Sequence, residues 1–357
     1  MSRFLSDTAR GITPYVPGEQ PQDQKYIKLN TNECPYPPSP AVLKALEDFD
    51  YADLRLYPDP DMKALTREMA DYCRIPESHV FAGGGSDEVL GFAFMAFCNR
   101  GGNVCFPDIT YGFYRVYAEL FGQNIREIPL REDFTIHPGD YRGLTGAVFI
   151  ANPNAPTGIA LGLNDIECIL KANPQSLVVI DEAYADFADG ISCVGLIGSY
   201  DNLLVVQTFS KSRALAGMRL GFGFGQPGLI DALNRIKYSF NPYNIDRVSQ
   251  AAGIAAIRDS AYFGKLCADI AQTREHTAQK LTGMGFTVLP SKTNFLFAAH
   301  TDIPGTQLYA KLKERGILVR HFTKERISGF VRITIGTEAE MHKLVETIEL
   351  LLKEVTA

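Results

Sequence analysis

The feature that most constrains the fold of this chain is a set of short apolar runs that no charged residue interrupts. Four such runs lie in its middle part, at 147–150 (AVFI), 177–180 (LVVI), 203–206 (LLVV) and 220–224 (LGFGF). A strand with one face in water alternates apolar and polar residues, whereas a strand covered on both faces is apolar at consecutive positions. The runs therefore predict an α/β fold in which a mostly parallel sheet is flanked by helices.

Apolar residues at helical spacing fill the intervals around these runs. Helices are predicted over 41–49, 62–73, 87–97 and 163–172, with Asn164 as a candidate cap of the last one. Near residue 240 the pattern changes to single helices alternating with short strands, which is typical of a smaller α+β domain. Helices there are predicted over 247–257, 262–281, 307–314 and 338–354, and strands over 286–289, 294–298, 317–321 and 330–335.

Composition divides the chain into three parts. Residues 1–40 are rich in proline, asparagine and glutamine, which indicates an extended arm and not a helix. Residues 41–245 are predicted to form a large domain that carries the ligand site. Residues 246–357 are predicted to form a small domain, with part of the arm packing nearby.

Composition also narrows the classes of function. The net charge of −6 argues against a general nucleic-acid binder. The seven cysteines are odd in number and form no Cys-x-x-Cys pair, and the six histidines show no His-Glu-x-x-His spacing, so we expect reduced thiols and no metal. No secretory signal and no bilayer-length apolar window are visible. We therefore expect a soluble cytoplasmic protein with small-molecule partners, and neither nucleic acid nor a membrane as a partner.

Polar side chains follow three of the apolar runs. They are Asn152 and Asn154 after the first, Asp181 and Tyr184 after the second, and Ser210 and Lys211 after the third. Ligands of open parallel sheets bind at the carboxyl ends of the strands. We therefore expect these side chains to share one site.

Lys211 is the main candidate for chemistry at that site. Inside a cleft, desolvation or a neighbouring cation lowers the pKa of an amine and makes it a nucleophile toward a carbonyl carbon. Taken alone, the position also fits a surface lysine that closes a buried strand.

Asp181 and Tyr184 indicate a heteroaromatic cofactor. In a cleft, the Asp181 carboxylate could keep a ring nitrogen protonated, as pyridoxal phosphate requires, and Tyr184 could donate to the phenolate oxygen of that ring. Each residue also has a structural interpretation. A buried aspartate often caps or pairs at a strand end, and a tyrosine can be a half-buried aromatic at the sheet edge.

A glycine-rich stretch, Gly83–Glu88, leads directly into a predicted helix and suits a phosphate. Glycines let backbone N–H groups approach the anion, and the helix N-terminus supplies positive potential. The stretch matches neither the Walker motif nor the dinucleotide-binding pattern. Arg219 is spaced to reach the same phosphate with a bidentate fork. Tyr111 could stack on a cofactor ring, although a core aromatic is the commoner use.

Taken together, the motifs resemble those of the fold-type-I pyridoxal-phosphate aminotransferases. The motifs that carry the resemblance are Leu29–Glu33 with Pro35, Tyr57–Pro60, Gly85–Glu88, Asn152–Gly158, Asp181–Tyr184, Ser210-Lys211, Arg219 and Phe330–Thr337. They cover nearly the whole chain, and within the family they are most similar to members that act on histidinol phosphate. The resemblance implies a large domain with a mostly parallel sheet, a smaller α+β domain and a homodimer.

The resemblance also implies pyridoxal 5′-phosphate as the cofactor and assigns its contacts. Lys211 would form a Schiff base with it, Asp181 would bind the pyridine nitrogen and Tyr184 the phenolic oxygen. The phosphate and the ring would be held by Gly85, Ser86, Asp87, Tyr111, Ser210 and Arg219. Tyr57 would reach the phosphate from the other subunit.

The activity implied is the transamination of L-histidinol phosphate with 2-oxoglutarate. The fork of Arg332 suits a substrate carboxylate. Tyr15 and Arg320 would hold the phosphate end of the amino substrate, with Asn32 near the site.

One position departs from the family pattern. Family members commonly carry an asparagine immediately before Pro-Thr-Gly, where it contacts the phenolic oxygen, and here that position is Ala155. Either Tyr184 alone serves that oxygen, or Asn154 takes over part of the contact.

Other functions on the same scaffold stay open at this point. An aromatic aminotransferase would have no use for a second anion site at Tyr15 and Arg320, and a threonine-phosphate decarboxylase would need no keto acid. A regulator that binds a ligand without turnover and a nucleotide-binding protein are alternatives of another class.

Overall fold

The computed structural model describes residues 2–188 and 190–356. Its strands, in chain order, are β1 (Ile27–Lys28), β2 (Val80–Gly83), β3 (Asn103–Pro107), β4 (Asn124–Ile128), β5 (Ala147–Ala151), β6 (Val178–Asp181), β7 (Leu203–Thr208), β8 (Gly221–Phe224), β9 (Thr287–Val288), β10 (Phe295–Ala299), β11 (Ile317–Leu318), β12 (Arg320–His321) and β13 (Phe330–Thr334). Its α-helices are α1 (Asp7–Gly11), α2 (Pro40–Glu47), α3 (Lys63–Cys73), α4 (Ser86–Phe97), α5 (Phe113–Phe121), α6 (Leu163–Ala172), α7 (Pro227–Phe240), α8 (Arg247–Arg258), α9 (Ser260–Gly283), α10 (Gly305–Glu314) and α11 (Glu338–Thr356).

A seven-stranded sheet with the order β2-β8-β7-β6-β5-β3-β4 forms the centre of the fold. The registers of β7, β6, β5, β3 and β4 are parallel, and β8 is antiparallel to both of its neighbours. The mostly parallel α/β sheet predicted from the apolar runs is confirmed. The reversal at β8 follows from its connection, because residues 209–220 return the chain beside β7 without the helical crossover that a parallel neighbour needs.

Helices cover both faces of this sheet, which is why its central strands are apolar at consecutive positions. Residues of α2, α3, α6 and α8 pack in one core on one face. Residues of α4, α5 and α7 pack in a second core with the opposite side chains of the strands. Every residue of β5, β6 and β8 is buried.

A four-stranded antiparallel sheet with the order β12-β13-β10-β9 follows in the C-terminal part. It packs with α9, α10 and α11 in a separate core. The segment predicted as one strand over 317–321 consists of two strands, because β11 pairs with β1 and β12 pairs with β13. The division into domains at residue 245 stays a prediction.

Two local predictions are wrong. The N-terminal arm is not extended throughout, since Asp7–Gly11 forms a short helix whose first turn is capped by the Ser6 hydroxyl, which accepts from the Ala9 N–H. Asn164 does not cap α6, because the helix begins one residue earlier and Gly162 occupies the cap position.

The arm nevertheless reaches across the molecule. Its strand β1 pairs in parallel with β11, with Ile27 opposite Ile317. This pairing places Asn30–Glu33 next to the loops that follow β6 and β7, at the carboxyl edge of the large sheet. Within the described residues, no helix has the length and apolar content needed to cross a membrane.

Candidate functional site

A cavity of about 190 Å³ lies at the carboxyl ends of β5, β6 and β7. Its wall combines residues of these strand ends, of the glycine turn before α4 and of the N-terminal arm. The lining residues are Thr31, Glu33, Ser86, Asp87, Tyr111, Ala151, Ala155, Asp181, Ala183, Tyr184, Thr208, Ser210, Lys211, Ala216 and Arg219. Of the side chains expected to share one site, Asp181, Tyr184, Ser210 and Lys211 line the cavity, whereas Asn152 and Asn154 do not.

Lys211 lies three residues beyond the end of β7 and points its amine into this cavity. Its Nζ donates to the Thr31 carbonyl at 3.1 Å. Burial, assisted by the Arg332 guanidinium, lowers the pKa of Lys211 to about 8, and the Glu33 carboxylate opposes that change. About half of the amine is therefore neutral near pH 8, and the neutral form is the one that acts as a nucleophile or proton acceptor.

Asp181 closes β6 at the floor of the cavity. Its Oδ2 accepts from the Tyr114 hydroxyl at 2.9 Å, and its Oδ1 accepts from the Ala183 N–H at 3.2 Å. Burial raises the pKa of Asp181 to about 6, and the Tyr114 hydrogen bond only partly offsets it. A carboxylate this short of partners favours a cationic N–H donor in the cavity.

The glycine turn between β2 and α4 forms an anion cradle with Arg219. Gly85 has φ +87°, and a Cβ at this position would lie 2.6 Å from the Arg219 guanidinium, so only glycine allows the approach. The Arg219 guanidinium contacts the Ser210 hydroxyl at 3.5 Å. Together with the N-terminus of α4, which starts at Ser86, these groups present several donors to one anion.

The Asp87 side chain supports this cradle by orienting its neighbours and does not itself bind the anion. Its carboxylate accepts from the Tyr111 hydroxyl at 2.7 Å and from Arg219 at 3.0 Å. It therefore orients both side chains, and its backbone N–H in the first turn of α4 is the group that suits an anion.

Tyr184 lines another part of the cavity wall, and Asn32 contacts it there. The Asn32 amide donates to the Tyr184 hydroxyl at 2.8 Å. Asn32 is buried and adopts a left-handed backbone conformation with φ 56°, which asparagine tolerates better than most residues.

Arg332, on β13, presents the third cation of the site. One terminal nitrogen donates to the Asn30 carbonyl at 2.9 Å, and the buried Nε has no hydrogen-bond partner among the described residues. A buried guanidinium with unused donors suits a carboxylate, which accepts two parallel hydrogen bonds.

Neither Tyr15, on the arm, nor Arg320, on β12, lines the cavity. The Tyr15 ring stacks on Phe113 with centroids 4.3 Å apart and lies 6.4 Å from Tyr111. Arg320 donates to the carbonyls of Val16 and Pro17 at 3.2 and 3.1 Å, so in this structure it fastens the arm.

The structure does not bring Asn154 or Tyr57 to the cavity. The Asn154 amide donates to the Ile109 carbonyl and the Thr157 hydroxyl, and its oxygen accepts from Thr110 at 2.8 Å. These bonds leave Asn154 no capacity to replace the missing amide at Ala155, which corrects that expectation. Tyr57 is 76% exposed and stacks on Tyr243 at 4.5 Å.

Sequence reasoning missed two partners of the site. Tyr114 supports Asp181, and the only available signal was its spacing of three residues from Tyr111 at the start of a helix. Glu33 lines the cavity while accepting from Lys28 at 2.6 Å and Thr31 at 2.7 Å, and nothing in the sequence places the arm beside Lys211.

The chain is similar to known proteins along almost its full length. The family model described as aminotransferase class I and II matches residues 24–348. A histidinol-phosphate aminotransferase of Brachyspira hyodysenteriae is 54% identical, covering 99% of this chain and 100% of that protein. One of Clostridium beijerinckii is 50% identical, covering 99% of this chain and 98% of that protein.

Solved structures show the same fold. A histidinol-phosphate aminotransferase of Sinorhizobium meliloti, described as a complex with pyridoxal-5′-phosphate, superposes with a TM-score of 0.88 at 24% identity, covering 98% of this chain and 99% of that one. An aspartate aminotransferase of Thermus thermophilus with maleate has a TM-score of 0.83 at 18% identity, covering 97% of this chain and 99% of that one.

Proposed function

Because the chain belongs to the class I and II aminotransferase family, we propose that it transfers the amino group of L-histidinol phosphate to 2-oxoglutarate with pyridoxal 5′-phosphate as its cofactor. The products are imidazole-acetol phosphate and glutamate, a step of histidine biosynthesis. The observation that carries the proposal is the convergence of Lys211, Asp181 and the Gly85–Arg219 cradle on one cavity. The names of relatives that match at 50–54% identity support the choice of substrate.

The residues of the cavity fit this cofactor. The under-partnered Asp181 carboxylate matches a protonated pyridine nitrogen, and the donors around Arg219 match a phosphate. Tyr184 faces the same space with a hydroxyl that suits the ring oxygen, and Tyr111 borders it as a candidate stacking partner. When bound, pyridoxal phosphate supplies an aldehyde for amino groups and a ring that withdraws electrons from the substrate Cα.

Lys211 carries the proton transfers in this proposal. Its Nζ would hold the cofactor aldehyde, and the substrate amine would replace it there. Burial lowers the pKa of this amine to about 8 in the cofactor-free protein, so it would serve to take the proton from the substrate Cα and to return it to the cofactor side. Asp181 assists by keeping the pyridine nitrogen protonated, and the buried walls keep water from competing for the proton.

The two ends of the substrates are assigned to separate arginines. Arg332, with its unused Nε, holds the carboxylate of 2-oxoglutarate or glutamate. Arg320 and Tyr15 hold the phosphate of the amino substrate, which requires Arg320 to exchange the carbonyls of Val16 and Pro17 for the phosphate.

The proposal includes a cytoplasmic homodimer. Tyr57 lies outside the cavity of its own chain, so a contact with the cofactor phosphate requires a second copy. Two observations support such an interface: Leu54 and Leu56, which precede Tyr57 in the chain, are also exposed, and so is Tyr243, on which Tyr57 stacks. Monomeric surfaces rarely keep so many large apolar side chains together in water.

Borohydride reduction tests the cofactor assignment. The purified protein, loaded with pyridoxal phosphate and reduced, should carry the cofactor mass on the peptide that contains Lys211. Lys211→Ala should bind the cofactor without a trapped adduct and lose turnover. Substantial turnover by Lys211→Ala, or an adduct on another lysine, would refute the assignment.

A comparison of substrates on the same preparation tests the proposed amino donor and the type of reaction. We expect histidinol phosphate to be the best amino donor, ahead of phenylalanine, with glutamate formed in step with its consumption. A preference for phenylalanine would indicate an aromatic aminotransferase, and carbon dioxide from phosphothreonine without a keto acid would indicate a decarboxylase.

A further inference from the structure

The wall around Tyr184 lacks a donor that the position of Ala155 could have supplied. Ala155 lines the cavity beside Tyr184 with a methyl group, and the two pack in the same apolar cluster. Asn154 cannot compensate, since its amide is used within its own loop. The Tyr184 hydroxyl is therefore the side-chain donor left on this wall.

The orientation of the Asn32 amide is fixed by Thr334. The Thr334 hydroxyl accepts from the Asn32 backbone N–H at 3.0 Å, so its own proton is directed elsewhere. That proton goes to the Asn32 Oδ1, also at 3.0 Å. The amide nitrogen must then face away from Thr334, and it lies 2.8 Å from the Tyr184 hydroxyl.

The same chain of bonds fixes the direction of the Tyr184 proton. An amide nitrogen only donates, so the Tyr184 oxygen is the acceptor in its bond with Asn32. The described residues offer no acceptor for the proton of Tyr184, and the ring is held edge-on against Phe295 with centroids 5.2 Å apart. The remaining direction for that proton is the cavity that Tyr184 lines.

The backbone of Asn32 makes this arrangement rigid. Its carbonyl accepts from the Asn294 amide at 3.0 Å, and its φ of 56° is held by the surrounding contacts. The ionisable groups that face the Tyr184 hydroxyl are Arg332, Asp181 and Tyr15. Among the described residues, only Asn32 donates a hydrogen bond to this hydroxyl.

We propose that Asn32 is a positioning residue that commits Tyr184 to donate its proton into the cavity, where the hydrogen bond stabilises an anionic ring oxygen that Ala155 cannot contact. The inference rests on the proposed function, because it is the cofactor that brings this oxygen. It changes the expectation for Asn32, which acts through Tyr184 and not by holding substrate.

Asn32→Asp tests the direction of the hydrogen bond. Aspartate tolerates the same backbone conformation, and its carboxylate would accept the Tyr184 proton and turn it away from the cavity. In the loaded protein, one proton is shared between the cofactor ring oxygen and the nitrogen of its linkage to Lys211. Without the Tyr184 hydrogen bond the anionic oxygen is less stable, so this proton would be lost only at a higher pH. The pH midpoint of the cofactor absorbance change should rise by about one unit or more, the size expected for a lost hydrogen bond to a charged group.

Two controls separate donor reversal from the charge of the new carboxylate and from general damage. In a Tyr184→Phe background, Asn32→Asp should move the midpoint by much less than in the wild type, since no hydroxyl remains to be redirected. Asn32→Gly keeps the left-handed backbone and removes the amide, so Tyr184 can still donate and the midpoint should change less than with aspartate. Thermal unfolding of each variant checks the fold.

The outcomes are distinct. An equal shift in the Tyr184→Phe background, or no shift with Asn32→Asp, would overturn the inference while leaving the proposed function intact. A protein that traps no cofactor at Lys211 under borohydride would overturn the proposed function and the inference with it.

Discussion

Within the part of the chain that the structure describes, burial lowers the pKa of two lysines, Lys211 and Lys237, and of these two Lys211 faces the cavity. Lys237, in α7, is almost completely inaccessible, and its ammonium donates to the Pro60 carbonyl at 2.6 Å. A lowered pKa therefore does not identify a reactive amine by itself. Lys211 could be predicted because it follows a buried strand, whereas the burial of Lys237 depends on a loop 177 residues away.

The Ala155 side chain has no hydrogen-bond donor, so a substitution there can add one to the cavity wall. Ala155→Asn places an amide donor on the wall that now holds only the Tyr184 hydroxyl. A second donor to the anionic ring oxygen should lower the pH midpoint of the bound cofactor's absorbance by about one unit. A spectrophotometric pH titration of the loaded protein measures the change.

The control for this prediction is Ala155→Leu, whose side chain has the branched shape and the heavy-atom count of asparagine, fills more space and carries no donor. Leucine should leave the midpoint unchanged or raise it, because it adds apolar surface to the cavity. A downward shift of equal size with leucine would mean that filling the cavity, and not donation, moves the midpoint.

At the scale of elements, sequence patterns predicted the strands that are buried on both faces. They missed an exposed edge strand and a pairing between distant segments. The strands β5, β6 and β7 were predictable because both of their faces are covered. The edge strand β4 was not, since its sequence NIREI exposes three of five residues and reads as polar surface. The pairing of the arm with β11 was also unpredictable, because its two-residue ladder joins segments 290 residues apart.

Helices α7 and α8 hold the segment that presents Tyr57. Arg247 donates to the carbonyls of Leu56 and Tyr57, the latter at 2.9 Å, and Lys237 donates to Pro60 at 2.6 Å. Tyr238 bonds to Asp61 as well. These contacts hold the backbone from behind while the Tyr57 ring stays exposed, as a residue that serves another subunit should be.

In the proposed homodimer, Arg247→Ala should therefore weaken the cofactor site of the partner subunit and not its own. The first hybrid dimer combines a wild-type subunit with a subunit that carries both Arg247→Ala and Lys211→Ala. Only the wild-type subunit keeps Lys211, and its site receives Tyr57 from the subunit with Arg247→Ala. We expect its cofactor dissociation constant to rise about 10-fold, the effect of roughly one charge-assisted hydrogen bond. In a hybrid of Arg247→Ala with Lys211→Ala, the working site receives an intact Tyr57 and should bind normally.

Arg258→Ala is the control for this experiment, because Arg258 lies on the same helix and pairs with the half-buried Glu68 and not with the Tyr57 segment. Neither hybrid should respond to it. If the two Arg247 hybrids bind the cofactor equally, the segment serves its own chain, and the proposed exchange of Tyr57 between subunits is wrong.

For the whole molecule, a site built from buried charges makes stability depend on the cofactor. Asp181 closes β6 and Glu182 follows it directly, and burial raises their pKa values to about 6 and about 7. Glu182 is served by the protein, accepting from Ser192, Gln207 and the Cys193 N–H. Among the described residues, Asp181 accepts only from Tyr114 and from one backbone N–H, so a ligand that offers a cationic N–H would stabilise its carboxylate most.

The sign of the pH dependence follows from these raised values. A carboxyl whose pKa is higher in the folded state binds its proton more tightly there, so its contribution to stability is complete below about pH 4 and is lost as pH rises through the folded value. For Asp181 that loss runs from about pH 4 to just above pH 6 and amounts to about 3 kcal/mol. A bound cofactor with a protonated ring nitrogen pairs the carboxylate and removes the loss.

Asp181→Asn should therefore reduce the decrease in the free energy of unfolding with rising pH in the cofactor-free protein. In the loaded protein the same substitution should have little effect on the pH dependence. The measurement is the free energy of unfolding of wild type and variant between pH 4 and pH 8, each with and without cofactor. Glu182→Gln is the matched control, since the charge of Glu182 meets only protein donors and its substitution should flatten the fall equally in both forms. Parallel curves for wild type and Asp181→Asn in the cofactor-free protein would show that Asp181 is already paired, and the assignment of its carboxylate to a cofactor nitrogen would lose its physical basis.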